Sequence, residues 1–228
     1  VLHALFYTKA GVSLTNLVTS EKGAQEQLVR EGAQTIANKI QESLGDAVHL
    51  DEPVVGVDQN TEGAVSVTTS KGTYQSRHVI FATPPQQVLR VNFEPPLPHQ
   101  RRSLLQHTPA GSYWKFMAVY EKPFWREQGL SGAASSPDKV IATVFDISPA
   151  GAKHGILMSF VVRHKARTLS LASQDKRKEE ILDCLVSFFG PKAKDVTRLI
   201  EHTMMDEEYI GGCPVSNSAP GMWTTLGP

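Results

Sequence analysis

The chain has 228 residues, 40% of them hydrophobic and 20% charged, enough to bury a full core as one large domain or two small ones. Its 23 basic and 23 acidic residues cancel without forming a long run of one sign, which argues against nucleic acid or an anionic membrane as partner. The apolar runs are too short to span a bilayer, the two cysteines, Cys184 and Cys213, cannot make a disulfide framework, and the eight histidines lack metal-ligand spacing.

Taken in chain order, residues 1–9 read as the tail of a helix begun upstream, with Gly11 as its stop, so both chain ends are expected to be cut. Ile36, Ile40 and Leu44 repeat at helical spacing and predict a helix over 34–44, ending on Gly45. Four short strands are expected next, at 53–58, 64–68, 72–74 and 78–82, with turns at 60–63 and 70–72, as an antiparallel meander. Pro84 and Pro85 end the fourth and open a short helix, and Pro95 to Pro98 mark a rigid boundary.

The stretch 112–120 reads as a buried strand with a lysine at its centre. Alternation puts Lys115 on one face with Tyr113, Met117 and Val119, and Trp114, Phe116, Ala118 and Tyr120 on the other, which aims a cation into an apolar layer. Either the ammonium has a function, or this is an edge strand whose lysine reaches water. Strands near 140–145 and 155–162 follow, then an amphipathic helix over 174–189 with Ile181, Leu182, Leu185, Phe188 and Phe189 on one stripe, stopped by Gly190 and Pro191. A strand at 196–204 leads into the irregular segment 206–214. The pattern is α+β, a mixed β-sheet with helices packed on one face.

Several segments agree in order and spacing with one family. They are Gly23-Ala-Gln25-Glu26 with Gly32-Ala-Gln34, Leu50-Asp-Glu-Pro53-Val54-Val55, Val79-Ile-Phe-Ala82-Thr83-Pro84-Pro85 and Phe93-Glu-Pro95-Pro96-Leu97-Pro98. Later come Lys115 on its strand, Pro123-Phe124-Trp125-Arg126 with Gly129-Leu-Ser-Gly132, Phe145-Asp146 with Ser148-Pro149, and Tyr209-Ile-Gly-Gly-Cys213 with Pro220-Gly221. Together they resemble the flavin-dependent monoamine oxidases over nearly the whole chain.

The resemblance implies the substrate domain of a flavin amine oxidase plus a small part of the FAD-binding domain. It divides the chain into a cavity-lining segment (1–32), a helix and meander given to the FAD-binding domain (33–92), the substrate-binding domain (93–210) and a return toward the flavin (211–228). It implies FAD as cofactor, with an amine and O2 as reactants and no metal, and leaves open a homodimer. The compartment is equally open, cytoplasmic or, with a C-terminal anchor, the mitochondrial outer membrane.

Residue by residue, Lys115 matches the lysine that holds a water beside flavin N5. Val54 matches a position whose backbone approaches the FAD, and Leu17, Val18 and Gln25 match positions lining the substrate cavity. Cys213 matches the cysteine that animal monoamine oxidases join to the flavin 8α carbon; a cysteine beside Gly211 and Gly212 is equally read as a small buried hydrophobe. The chain departs from the family pattern in four places: Met204 stands for a tryptophan, Pro214 for a tyrosine wall of the amine cage, and Leu28 and Glu31 for Arg and Gly. The Gly-x-Gly-x-x-Gly fingerprint is not within these residues, so the chain is expected to be a piece of a longer protein and a poor holder of FAD by itself. L-amino-acid or polyamine oxidation, and a non-catalytic binding module, stand as alternatives to monoamine oxidation.

Overall fold

A computed structural model describes residues 2–10, 13–19, 22–24 and 26–226. They form two compact units, Val1–Pro53 and Val54–Pro228. The first holds three helices among its described residues: α1 (Leu2–Ala10), α2 (Leu14–Val18) and α3 (Gln34–Leu44). Ser13 starts α2 by accepting the Asn16 N–H at 3.0 Å. α3 has the predicted span and ends at Gly45, which takes positive φ. Its stripe of Ile36, Ile40 and Leu44 stays exposed.

The second unit opens with β1 (Val54–Asp58), β2 (Val65–Thr69) and β3 (Thr73–Ser76), then α4 (Pro85–Val88), β4 (Asn92–Glu94) and α5 (His99–Gln106). These strands make a sheet in the order β3-β2-β1-β4, with β1 antiparallel to β2 and parallel to β4. The expected fourth strand at 78–82 is not one. That place is taken by β4, because 92–94 present backbone to β1 while 78–82 have no strand alongside among the described residues, and Ile80 is 91% exposed.

The rest of the chain supplies β5 (Tyr113–Tyr120), α6 (Phe124–Glu127), β6 (Ala134–Ser135), β7 (Thr143–Asp146), β8 (Gly155–Val162), α7 (Arg163–Leu169), α8 (Gln174–Phe189), β9 (Arg198–Thr203) and α9 (Met222–Thr225). The second sheet is antiparallel throughout, in the order β6-β7-β8-β5-β9. Trp114, Phe116, Ala118 and Tyr120 of β5 and Leu157 and Val161 of β8 are buried on one face under Ala166 and Leu169 of α7 and Ile181, Leu185 and Phe189 of α8. Each large aliphatic or aromatic side chain so buried stabilises by about 1.5–3 kcal/mol. Ser173 caps α8 by accepting the Lys176 N–H at 3.3 Å. Arg177 ties this helix to the sheet, donating to Glu201 of β9 at 2.8 and 2.7 Å and lying 4.8 Å over the Trp114 ring.

Candidate functional site

Helices α7 and α8 cover one face of the second sheet, and Lys115 is on the other. In β5 it stands directly opposite Phe160 of β8 and His202 of β9. Side chains paired in this way project to the same face. The Lys115 ammonium lies 5.8 Å from the Phe160 ring centre, and Tyr113 and Phe145 meet that ring edge-on at 5.6 and 6.2 Å. Met117, Met158 and Ile200 continue the face, all half-buried, so Lys115 stands on a largely apolar, aromatic surface, with Arg198 opposite Val119 at its far end.

Two expectations about this lysine are corrected here. It is exposed rather than buried in an apolar layer, because α7 and α8 pack against the opposite face, where Trp114, Phe116, Ala118 and Tyr120 point. Nor is β5 an edge strand, since β8 and β9 take its backbone hydrogen bonds on both sides.

Cys213 is brought to the start of the same strand by a backbone ladder between 107–111 and 213–219. The Cys213 N–H donates to the Gly111 carbonyl at 3.0 Å, and the Gly111 N–H donates to the Val215 carbonyl at 3.0 Å. Further along, Asn217 donates to Pro109 at 2.7 Å and Ala219 to His107 at 3.0 Å. The two chains pass so closely that only glycine fits at the crossing. A Cβ on Gly111 would stand 2.4 Å from the Cys213 carbonyl oxygen, and one on Gly212, which has φ +141, 2.4 Å from the Gly111 oxygen. Gly212 is thus filled by the chain's own backbone, whereas Gly211 is exposed. Burial pushes the Cys213 thiol above its usual range, and the Lys115 charge pulls it partly back, so the two residues share one electrostatic environment.

The other expected site residues stand on other elements. Val54 is the first residue of β1, in the four-stranded sheet, and is 39% exposed rather than a core valine. Leu17 is half-buried in α2 of the first unit. Gln25 lies outside the described residues, as does the side chain of Val18. Met204 follows β9 and Pro214 is exposed beside Cys213. No cluster of metal-binding side chains occurs among the described residues.

Sequence reasoning passed over Gly111, Phe160 and His202. Gly111 carried a signal, a glycine just before a strand, which marks a close backbone approach. The other two are cross-strand neighbours and depend on register.

The profile of the family described as flavin containing amine oxidoreductase matches residues 5–226. A Mycobacterium tuberculosis chain carrying the name flavin-containing monoamine oxidase AofH is 36% identical over 227 residues, 100% of this chain and 49% of that one. The L-amino acid dehydrogenase of Synechocystis is 33% identical over 95% of this chain and 47% of its own length. Human amine oxidase [flavin-containing] B is 30% identical over 98% and 44%. Among solved structures, putrescine oxidase bound to putrescine superposes with a TM-score of 0.87 at 31% identity, over 97% of this chain and 49% of that one. Cyclohexylamine oxidase from Brevibacterium oxydans gives 0.85 at 27% identity with the same coverage. The chain spans about half the length of these relatives.

Proposed function

The chain belongs to the flavin-containing amine oxidoreductase family, and from that premise we propose that it contributes the substrate-binding part of an FAD-dependent amine oxidase. The overall reaction is amine, O2 and water to aldehyde, ammonia and hydrogen peroxide. The observation that supports this most is the sheet face opposite α7 and α8, on which Lys115 stands among Tyr113, Met117, Phe145 and Phe160, with Cys213 at its end.

The residues present fit a flavin. The crossing of Gly111 and Gly212 is closed by backbone and by Ala110, but Gly211 beside it is exposed, next to the half-buried Cys213 thiol that feels the exposed Lys115 ammonium, which supports reading this segment as the one that faces the flavin. A flavin held there would supply the two-electron acceptor for the amine, with O2 as the final oxidant. The protein's own contribution is position and dielectric. Phe160, Tyr113 and Phe145 give an aromatic wall that prefers the neutral amine and keeps water from its carbon. Lys115 holds a water by N–H donation and sets a positive charge beside the place where negative charge develops. Cys213 is read as the residue that would hold the flavin covalently, its thiol being the group that would join the 8α carbon. Val54 is proposed to present its backbone to the cofactor, and Leu17, Val18 and Gln25 to line the substrate cavity.

The test uses the full-length protein loaded with FAD and follows hydrogen peroxide with benzylamine, putrescine and an L-amino acid. Benzylamine turnover, reduced roughly 10²-fold by Lys115→Met, is the expected result. Oxidation of only the diamine or the amino acid would move the proposal to those substrates, and a flavin that no amine reduces in the absence of O2 would overturn it.

A further inference from the structure

One side chain closes the base of the Cys213 loop. Gln86, in α4, donates its carboxamide N–H to the Ile210 carbonyl at 2.9 Å, and its carboxamide oxygen accepts the Ser216 hydroxyl at 3.1 Å. Ile210 and Ser216 are the two ends of the segment that contains Gly211, Gly212, Cys213, Pro214 and Val215. A single amide, using both its donor and its acceptor, therefore staples those ends together from 124 and 130 residues away in sequence. The neighbouring positions reinforce it. The Gln87 amide nitrogen lies 3.1 Å from where a Cβ on Gly211 would be. Arg90 donates to the Glu208 carbonyl, donates to the Glu208 carboxylate at 3.0 Å, and sits 5.1 Å over the Tyr209 ring.

The loop needs such a restraint because two adjacent glycines leave its backbone little conformational preference of its own. On the other side, the ladder to 107–111 fixes the Cys213 amide and, through the Ala110–Ser216 bridge, the Ser216 end of the loop, whereas the Ile210 end bonds through its N–H only to nearby Glu207, so the Gln86 amide is what ties that end to the fixed one. We propose that Gln86 is a positioning residue for Cys213: its two hydrogen bonds hold the thiol in the direction from which it meets the flavin. This rests on the reading of residues 211–213 as the flavin-facing segment. Bond formation at a fixed carbon is sensitive to displacements of about an ångström, so a loosened loop loses attachment even where the fold is kept.

The test compares the full-length protein with Gln86→Met, which keeps the length of the side chain and removes both hydrogen bonds. The first reading needs no flavin: the rate of Cys213 alkylation by iodoacetamide in the FAD-free protein, with the core thiol Cys184 as an internal control. Losing two ordinary hydrogen bonds should raise that rate roughly five- to tenfold while Cys184 stays protected. The second reading is the fraction of flavin that stays with acid-precipitated protein, which should fall in Gln86→Met at unchanged melting temperature and be partly kept in Ser216→Ala, where one bond survives. An unchanged Cys213 rate in Gln86→Met overturns the proposal. If that variant also exposes Cys184, the core has opened, and Ser216→Ala decides by the same alkylation reading: faster supports the staple, unchanged overturns it. Wild-type protein without acid-stable flavin would refute the attachment reading and leave the alkylation result to judge the staple itself.

Discussion

Lys115 and Cys213 influence each other within the folded chain itself. The thiol is raised by burial and lowered again by the Lys115 charge, so removing that charge leaves burial unopposed. Lys115→Met should therefore move the Cys213 thiol further up and slow its alkylation at pH 8, because the thiolate is the reacting form. A stopped-time alkylation series from pH 7 to 10 checks this, with the rise in rate displaced to higher pH in the variant. Equal profiles would mean that the lysine is too well solvated to be felt at the sulfur. At this scale the sequence was readable where chemistry and strand pattern conflict, as at a lysine among apolar residues. It was unreadable at Phe160 and His202, whose relevance comes from standing opposite that lysine on neighbouring strands.

Elements are joined by polar ties that local pattern does not announce. Asp146, at the end of β7, accepts from Trp125 Nε1 at 2.9 Å, from the Arg126 guanidinium at 2.9 and 2.7 Å, and from the Ser148 N–H and hydroxyl at 2.9 and 2.6 Å. Burial works to raise this carboxyl, yet the hydrogen bonds from Ser148, Trp125 and Arg126 outweigh it and hold the group below the usual carboxylate range. A folded-state value below the unfolded one means that the stabilisation is complete above about pH 4 and is lost as the pH falls through the lower folded value. Asp146→Asn should flatten the acid limb of stability measured by urea unfolding below about pH 4, and lower stability at pH 7 by about 1–3 kcal/mol. An acid limb identical to wild type would assign that slope to other carboxylates. Helix α8 was legible because a 3.6-residue stripe and a Gly-Pro stop agree. α7 and β4 were not: α7 follows β8 without a break, and the three residues of β4 become a strand only because β1 lies beside them.

Across the whole molecule, burial is unequal between the two units. Every buried hydrophobic side chain among the described residues lies at or beyond Val57, in the unit Val54–Pro228, and the aromatic core around Trp125 is wholly within it. A chain of residues 54–228 should accordingly melt cooperatively within about 5 °C of the 228-residue chain, as expected when less than roughly 2 kcal/mol is lost from a domain of this size. Calorimetry on both checks this, and a broad, non-cooperative transition would show that the first unit is needed for the core to form. The sequence alone determined the family, the α+β class and the candidate lysine and cysteine, because residue identity, spacing and alternation are local quantities. Only the tertiary structure decided that Lys115 stands exposed on the face opposite α7 and α8, that Gly111 and Gly212 press together, and that Gln86 closes the Cys213 loop. Each of these depends on which strands lie side by side, and strand adjacency is set by contacts between residues far apart in the chain.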